Sequence, residues 1–281
     1  MKETVNTIVI PVAGAGTRLR PITYVTPKEL LRLVDKPIVY YLLKEAYVAG
    51  IRHAIFITHF DRKDLKTFLK SEKSQEVLKE FPNLRFTFIE THHRLGDGQC
   101  LYEARGILKK EKAFAVTMGD LISFPGTSLI GELKEIYLKN RTPVISVEKI
   151  DREKSKQYGI IDPKKSNGRI HEIRSIIEKP DPKEAPSDYA MTGKYILTPK
   201  IFSYLEKLLK ERKPNEEIKL ANALRDYAQD YELHAYTCKN RHFDTGNKAD
   251  LIKTEIIFAL HHQELKQHIQ SSLNDIIKHQ K

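Results

Sequence analysis

The residues between Ile8 and Lys28 combine the types that could bind a polyphosphate. An apolar stretch, Ile8-Val9-Ile10, leads into the small-residue loop Ala13-Gly14-Ala15-Gly16-Thr17, and Arg18 and Lys28 follow. Glycines let a backbone approach a ligand closely, and loop N–H groups can point at its oxygens. Arginine and lysine then supply the positive charge that a polyphosphate requires. This order of residues predicts a protein that handles nucleotides.

The loop differs from both common phosphate-binding loops. A P-loop needs GxxxxGK followed by Ser or Thr, but Thr17 and Arg18 follow the last glycine here. A dinucleotide fingerprint needs GxGxxG, and Leu19 stands where the third glycine belongs. The loop on its own therefore also allows a second interpretation, a tight turn without a ligand.

Two aspartates each follow a predicted strand and could hold a hard cation. Asp120 comes after Met118-Gly119, and Asp244 lies in the segment His242-Phe243-Asp244-Thr245-Gly246-Asn247. Carboxylates in such positions can bind Mg²⁺ that also touches phosphate oxygens. A helix cap is the alternative for each, and for Asp244 the capped helix would begin near Lys248. Together with the loop, the pair favours a Mg²⁺–nucleotide site.

Glu178 and Lys179 place an acid beside a base at the end of a predicted strand. A carboxylate can accept hydrogen bonds from sugar hydroxyls, and an ammonium can hold a sugar phosphate. A surface ion pair is the alternative, and spacing alone favours it because such pairs are common. Gly159 and Gly193 each lie near a predicted strand, which suits either close approach of a ligand or a turn.

Alternating strands and helices must position these residues. Strands are predicted at residues 8–11, 54–58, 84–90 and 114–118, with helices between them at residues 37–49, 62–80 and 99–108. This alternation predicts an α/β fold with a mixed, mostly parallel central sheet and helices on both faces. Ligands in such folds bind beyond the carboxyl ends of the strands, where the loop and Asp120 both fall.

The second half of the chain is more mixed. Further strands are predicted at residues 142–147, 158–161, 170–177, 193–197 and 233–237, and helices at residues 200–209, 216–229 and from 248 onward. Near the C-terminus an apolar stripe lies on a polar helix, formed by Leu265, Ile269, Leu273, Ile276 and Ile277. Packing on its own domain and contact with another subunit explain this stripe equally well.

Composition narrows the class of protein. The 281 residues carry a formal net charge of +11, which suits an anionic ligand. The lysines are dispersed and not gathered with aromatics into a stripe, so we expect no nucleic-acid partner. Cys100 and Cys238 match neither a disulfide framework nor a metal site. No segment resembles a signal peptide or a membrane span, and we expect a cytoplasmic location.

Several motifs resemble those of a known family. The string GAGTRLxPxTxxxPKExL at residues 14–31 resembles the signature of sugar-1-phosphate nucleotidylyltransferases. The motifs YGII, IEKP, TGKYIL and FDTGNK then follow at residues 158–161, 177–180, 192–197 and 243–248. Their order and separations resemble bacterial UTP–glucose-1-phosphate uridylyltransferases, the UDP-glucose pyrophosphorylases. The resemblance covers about residues 5–260.

This resemblance implies a Rossmann-like nucleotidyltransferase domain at residues 5–260, a C-terminal helical extension at 261–281, and Mg²⁺ as cofactor. It implies that Arg18 and Lys28 act on a triphosphate, with Lys179 on the sugar phosphate and Asp120 and Asp244 holding Mg²⁺. The implied nucleotide-binding residues are Ala13, Gly14, Gly16, Glu29 and Gly96. The implied sugar-binding residues are Gly159, Glu178, Lys179 and Gly193.

Two segments depart from the family pattern. Residues 91–101 lack the usual glutamine for the base, although Gly96 and Gly98 are present, and Gln99 or His93 could supply a side chain instead. Residues 216–222 read EEIKLAN where the family favours DEIQLTD. We therefore expect transfer of uridylyl from UTP to glucose 1-phosphate by a homo-oligomer, a dimer or tetramer. The alternatives are a related enzyme that uses dTTP or another sugar phosphate, or a catalytically weak regulatory paralogue.

Overall fold

The structure, a computed structural model, describes residues 4–279. Its strands are β1 (Thr7–Pro11), β2 (Arg32–Leu33), β3 (Lys36–Pro37), β4 (His53–His59), β5 (Arg85–Thr91), β6 (Phe114–Thr117), β7 (Leu121–Ser123), β8 (Val144–Lys149), β9 (Gly159–Asn167), β10 (Ile170–Glu178), β11 (Tyr189–Leu197), β12 (His234–Thr237) and β13 (His242–Asp244). Its α-helices are α1 (Ile38–Val48), α2 (Asp64–Lys70), α3 (Gln75–Leu78), α4 (Asp97–Glu103), α5 (Arg105–Leu108), α6 (Leu129–Asn140), α7 (Ile201–Glu211), α8 (Leu220–Asp230), α9 (Lys248–Ala259) and α10 (Lys266–His279).

The central sheet is mixed, with most strands running in one direction. Its order is β5-β4-β1-β6-β11-β8-β12-β10-β9 within the described residues. The first four of these strands are parallel neighbours, and β8 is parallel to β12. Only β10 and β11 run against the other seven. The predicted mixed, mostly parallel sheet is confirmed.

Helices cover both faces of this sheet because strand side chains alternate between the faces. Ile8 and Ile10 of β1 pack on one face in a core that includes residues of α1 and α6. Val9 of the same strand points to the other face, where residues of α4, α7 and α8 form a second core. This arrangement confirms the predicted α/β class, and it leaves the carboxyl end of β1 open.

A small antiparallel pair of strands, β7 and β13, lies outside the central sheet. Its register sets Asp244 opposite Leu121, the residue after Asp120. The backbone N–H and the hydroxyl of Thr245 both donate to the carbonyl oxygen of Asp120, at 2.8 and 2.9 Å. This pair of strands, which lies outside the strands predicted from sequence, brings the segments of the two aspartates together.

Some predicted helices are shorter or broken, because local polar groups compete with the helical hydrogen bonds. The helix predicted at 62–80 ends at Lys70, and extended Ser71 donates its hydroxyl to the carbonyl oxygen of Phe68 at 2.7 Å. The helix predicted at 99–108 begins earlier, at Asp97, and is interrupted at Ala104. The helix predicted at 216–229 begins only at Leu220, since the preceding residues bond to another segment.

The C-terminal region consists of α9 and α10, separated by a break after Ala259. Leu265 and Ile269 of the predicted apolar stripe pack against the first core. Ile276 and Ile277 are exposed. The division at residue 260 stays a prediction, and residues 280–281 of the predicted extension lie outside the described range. Within that range, no helix is both long and apolar enough to cross a bilayer.

Candidate active site

Two cavities meet at Asp120, beyond the carboxyl ends of β1 and β6. The smaller cavity has a volume of about 460 Å³, and the loop after β1 forms one wall of it. Its lining includes the predicted residues Ala13, Gly14, Lys28, Gly96 and Asp120. The larger cavity has a volume of about 630 Å³ and is lined by Arg18, Asp120, Gly159, Glu178, Lys179, Gly193 and Asp244, among others. Asp120 lines both, so ligands in the two cavities would adjoin there.

Gly16 shapes the loop without lining either cavity. Its φ of 64° lies in the left-handed region, where glycine has no steric penalty. Its carbonyl oxygen accepts a hydrogen bond from the hydroxyl of Thr23 at 2.8 Å. The short 3₁₀ helix Thr17–Leu19 follows and carries Arg18. The structure thus gives Gly16 a conformational role, and its nucleotide contact stays a prediction.

Lys28 and Asp120 form a close ion pair at the junction of the cavities. Lys28 Nζ donates to Asp120 Oδ2 at 2.8 Å, and Arg18 Nη2 lies 4.0 Å from the same oxygen. Burial acts to raise the pKa of Asp120, but the charge and hydrogen bond of Lys28 outweigh it, so this pKa is lowered. Burial acts to lower the pKa of Lys28, but Asp120 and Glu29 outweigh it, so this pKa is raised. Both groups are therefore charged at neutral pH.

Glu29 lies beneath this pair and not in the cavity walls. Its side chain is 2% exposed, and Oε1 has no hydrogen-bond partner within the described residues. Lys28 Nζ is 3.9 Å from that oxygen. Burial raises the pKa of Glu29 to about 7, with the Lys28 charge opposing it. A direct contact between Glu29 and a nucleotide stays a prediction, because the carboxyl lies below the accessible surface.

Gly246 marks the point where the two predicted metal ligands converge. A methyl group built on Gly246 would lie 2.8 Å from Asp120 Oδ2 and 2.9 Å from Asp244 Oδ1. The N–H of Gly246 donates to Asp244 Oδ1 at 2.6 Å. Burial, and then the charge of Asp120, raise the pKa of Asp244. Arg18 Nη2 lies 2.9 Å from the same methyl position, so both carboxylates and one guanidinium approach a single point.

The donor set of this pair fits Mg²⁺. That ion binds through one or two carboxylates plus substrate phosphates, and it keeps several waters. Asp120 and Asp244 supply two such carboxylates in the wall of the larger cavity, and Asp120 also lines the smaller one. Among residues 4–279, no group of three or more His, Cys, Asp or Glu side chains could hold a metal, so a cation here would have only these two carboxylates from the chain.

The larger cavity carries the predicted sugar-side residues on β9, β10 and β11. Glu178 ends β10, and its Oε2 would lie 3.1 Å from a methyl group built on Gly159. Lys179 has a φ of 51°, and its N–H donates to the carbonyl oxygen of Tyr158 at 3.0 Å. Lys179 Nζ lies 3.9 Å from Glu178 Oε1 and is about half exposed. Both side chains line the larger cavity, and their contact with a sugar phosphate stays a prediction.

Gly193 allows β11 to pass close to the Asp120 segment. Its φ is 73°, and a methyl group built on it would collide with Leu121 Cδ1. The N–H of Met118 donates to the carbonyl oxygen of Gly193 at 3.2 Å. A side chain at this position would therefore displace the residues beside Asp120.

The two segments that depart from the family pattern contact each other. The N–H of Gly98 donates to the carbonyl oxygen of Ile218 at 2.9 Å, and the N–H of Leu220 donates to Asp97 Oδ1 at 3.0 Å. A methyl group on Gly96 would lie 2.6 Å from the carbonyl oxygen of Ile218. A substitution in one segment would therefore alter the position of the other, at the boundary between the two cavities.

The structure also adds residues that the sequence analysis did not single out. Asp97 and Glu217 line both cavities, Arg94 lines the smaller one, and Lys219 lines the larger one. All four belong to residues 91–101 and 216–222, and the difference of these two segments from the family pattern was the sequence signal for them. Gly246 lies inside a quoted motif, but nothing in the motif indicates its closeness to Asp120.

The comparisons with known proteins agree with this geometry. The nucleotidyl transferase family matches residues 7–258 of the chain. The UTP–glucose-1-phosphate uridylyltransferase YngB of Bacillus subtilis (strain 168) is 34% identical over 292 residues, covering 99% of this chain and 97% of that protein. A solved UDP-glucose pyrophosphorylase complexed with UDP-glucose has a TM-score of 0.82 and 29% identity, covering 92% of this chain and all of that one. The structure of UTP-bound UGPase from Acinetobacter baumannii has a TM-score of 0.84 and 26% identity, covering 96% of this chain and 99% of that one.

These matches span nearly the whole chain and confirm the family resemblance that the motifs indicated. They also confirm the nucleotidyltransferase fold expected for the α/β sheet. The chain belongs to the nucleotidyl transferase family.

Proposed function

We propose that this chain transfers a uridylyl group from UTP to glucose 1-phosphate, giving UDP-glucose and pyrophosphate. The observation that carries the proposal is the pair of cavities that meet at Asp120. One cavity has the glycine-containing loop and Lys28, and the other has Glu178 and Lys179. The similar proteins whose names mention UTP, glucose 1-phosphate and UDP-glucose support this choice of substrates.

The reaction is one displacement at phosphorus. An oxygen of the glucose 1-phosphate attacks the α-phosphorus of UTP in line, the bond from that phosphorus to the bridging oxygen breaks, and pyrophosphate leaves with the electron pair. No proton needs to be removed from a phosphate that is already ionised, and no enzyme side chain becomes bonded. Catalysis then depends on positioning and on neutralising charge.

Each proposed residue has a distinct part in that step. Lys28 and Arg18 neutralise the triphosphate at the junction of the cavities, where both approach Asp120. Lys179 holds the phosphate of glucose 1-phosphate, and Glu178 accepts hydrogen bonds from the sugar hydroxyls. Arg18 and Lys28 lie on short 3₁₀ helices, and Glu178 ends β10, so the fold places these charges before the reaction begins.

Asp120 and Asp244 would hold Mg²⁺. When bound there, the ion supplies positive charge to the phosphate oxygens of both substrates. The convergence of the two carboxylates around Gly246 supports this role. The chain's own contribution is to keep the carboxylates together through the pairing of β7 with β13.

The cytoplasmic location and the homo-oligomeric state, a dimer or tetramer, are parts of this proposal. The exposed Ile276 and Ile277 of α10 are compatible with a contact between subunits. A related enzyme using dTTP or another sugar phosphate is the second candidate. The altered segments at 91–101 and 216–222 favour it, since both contribute to the cavity walls.

A combined product and exchange assay tests the proposal. With UTP, glucose 1-phosphate and Mg²⁺, we expect UDP-glucose and pyrophosphate in equal amounts, separated by ion-exchange chromatography. Labelled pyrophosphate is expected to enter UTP only when the sugar phosphate or UDP-glucose is present, because no covalent intermediate forms. Binding of UDP-glucose without turnover would identify the chain as the weak regulatory paralogue instead.

A further inference from the structure

The smaller cavity contains one arginine, Arg94, whose role the reaction above leaves open. Arg94 lines this cavity together with Ala13, Gly14 and Gly96, and its side chain is 44% exposed. It belongs to residues 91–101, a segment in contact with residues 216–222 at the boundary of the two cavities. A cavity formed by a phosphate-binding loop still needs a group that recognises the rest of the nucleotide.

Gln99 and His93, the side chains suggested by the sequence for contact with the base, do not line the smaller cavity. Gln99 is 2% exposed, and its Nε2 donates to Glu103 Oε1 at 2.6 Å and to Thr91 Oγ1 at 3.2 Å. Neither Gln99 nor His93 belongs to the lining of the smaller cavity. Gln99 is buried, with no hydrogen-bond partner for its Oε1 within the described residues, and among these three side chains Arg94 alone lines the cavity.

Arg94 is held in position by a network that begins at the end of β4. Its Nη2 donates to Asp61 Oδ2 at 2.9 Å and lies 3.2 Å from His59 Nδ1. His59 Nδ1 is in turn 2.5 Å from Asp61 Oδ1. His59 is buried and lies opposite Thr91 in the β4–β5 register. The guanidinium is thus attached to two strand ends, although it lies on a loop.

This attachment leaves most of the guanidinium donors available. The hydrogen bonds of Arg94 within the described residues use only Nη2, so Nε and Nη1 can donate to a ligand. A guanidinium has donors only and therefore recognises acceptors, such as the carbonyl oxygens of a pyrimidine. The planar fork also keeps its orientation better than a lysine ammonium would.

We propose that Arg94, positioned by Asp61 and His59, donates a hydrogen bond to a carbonyl oxygen of the uracil base. This inference rests on the proposed function, since it assigns the base-reading residue of the same site. It makes Arg94 a binding residue, and Asp61 a positioning residue that acts through it.

Calorimetry with two ligands tests the inference. The ligands are UTP and ribose 5-triphosphate, which carries the same phosphates without a base. For Arg94→Ala we expect the Kd of UTP to rise about 10- to 100-fold, the scale of one hydrogen bond to a charged donor. The Kd of ribose 5-triphosphate should change less than about 3-fold, because the phosphates do not use Arg94.

Two further variants control for charge and for position. Arg105→Ala also removes one positive charge, from an exposed side chain that stacks on Tyr102 outside both cavities, and should leave both Kd values unchanged. Asp61→Asn keeps Arg94 but weakens its attachment. We expect a smaller loss for UTP, about 3- to 10-fold, and none for ribose 5-triphosphate.

Equal losses for the two ligands in Arg94→Ala would overturn the inference, because they would show that Arg94 acts on the phosphates. That outcome would leave the proposed function intact. Failure of the wild-type chain to bind UTP at all would overturn the proposed function and this inference with it. The two failures are therefore distinguishable in one set of titrations.

Discussion

Lys28 Nζ lies 2.8 Å from Asp120 Oδ2, so a predicted phosphate-binding cation and a predicted metal ligand are direct partners. Each keeps the other charged, as the lowered pKa of Asp120 and the raised pKa of Lys28 show. In the proposed reaction, Lys28 would donate to a substrate phosphate and Asp120 would hold the cation. The ion pair keeps both groups in the charged forms that these proposed roles need.

The first prediction concerns the metal ligands. Asp120→Ala or Asp244→Ala should lower kcat at least ~100-fold, the scale of losing a main electrostatic element. Steady-state assays at saturating Mg²⁺ measure this, and calorimetric titration with Mg²⁺ should show weakened binding. Full wild-type activity in excess chelator would contradict the proposed metal requirement.

The second prediction concerns Lys179 in the larger cavity. Lys179→Ala should raise the Kd of glucose 1-phosphate strongly, about 10- to 100-fold, because a charged hydrogen bond to its phosphate is lost. The Kd of UTP should stay nearly unchanged. Lys156→Ala removes a charge from an exposed pair with Asp181 and serves as the control. Equal weakening of both substrates by Lys179→Ala would show a structural role instead.

The third prediction concerns Glu29 and pH. Its pKa is about 7 in the folded protein against an ordinary value of 4.5, because burial disfavours the carboxylate. The folded state therefore binds more protons than the unfolded state across this window, and stability falls as pH rises through it. Relative to Glu29→Gln, the unfolding free energy of the wild type should fall by about 3 kcal/mol as the pH rises from 4.5 to about 7. This follows because each unit of pKa difference corresponds to about 1.4 kcal/mol.

Urea unfolding of the metal-free wild type and Glu29→Gln, at pH 4.5, 5.5, 6.5 and 7.5, measures that difference. Subtracting the unfolding free energy of one protein from that of the other at each pH removes the contribution of the titrating groups that both share. A difference that stays constant with pH, or that increases in favour of the wild type at high pH, would show that the carboxyl is not destabilised by burial.

The fourth prediction concerns the buried ion pair between Glu45 and Lys194, which belongs to the motif at residues 192–197. Lys194 is fully buried, and its Nζ donates to Glu45 Oε2 at 2.6 Å, joining β11 to α1. Lys194→Met leaves the Glu45 charge buried without that partner, which costs about 3–5 kcal/mol of unfolding free energy. Denaturant unfolding measures the loss, and the double variant Lys194→Met/Glu45→Leu should recover part of it. A single variant as stable as the wild type would contradict this structural role.

The sheet and its faces could be predicted from sequence because they follow from local patterns. Apolar stretches such as 8–11 and 54–58 gave strands close to their observed bounds, and their alternation with helices gave the fold class. Boundaries that depend on distant partners could not be read in this way. The helix after Lys219 begins late because the N–H of Leu220 bonds to Asp97, more than a hundred residues earlier.

The residues of the candidate site also fall into two groups, those that local motifs mark and those that depend on distant contacts. Arg18, Lys28, Asp120, Glu178, Lys179 and Asp244 could be named because motifs mark them, and all of them line the cavities. Glu29 and Gly16 were named with them, but both lie outside the linings. The unusual segment at residues 91–101 signals Arg94, but no sequence signal marks its partners His59 and Asp61, because the contact joins two neighbouring strand ends.

The central claim is a transfer from UTP, and the rate of pyrophosphate release with glucose 1-phosphate and Mg²⁺ tests it most directly. The measurement compares kcat/KM for UTP, dTTP, ATP and GTP. We predict a preference for UTP over dTTP of about 10- to 100-fold, equivalent to roughly 1–3 kcal/mol for one small group. Purine triphosphates should be rejected more strongly, because a larger ring must fit the same cavity. If ATP or GTP matches UTP, the pyrimidine assignment is wrong and only a general nucleotidyl transfer survives.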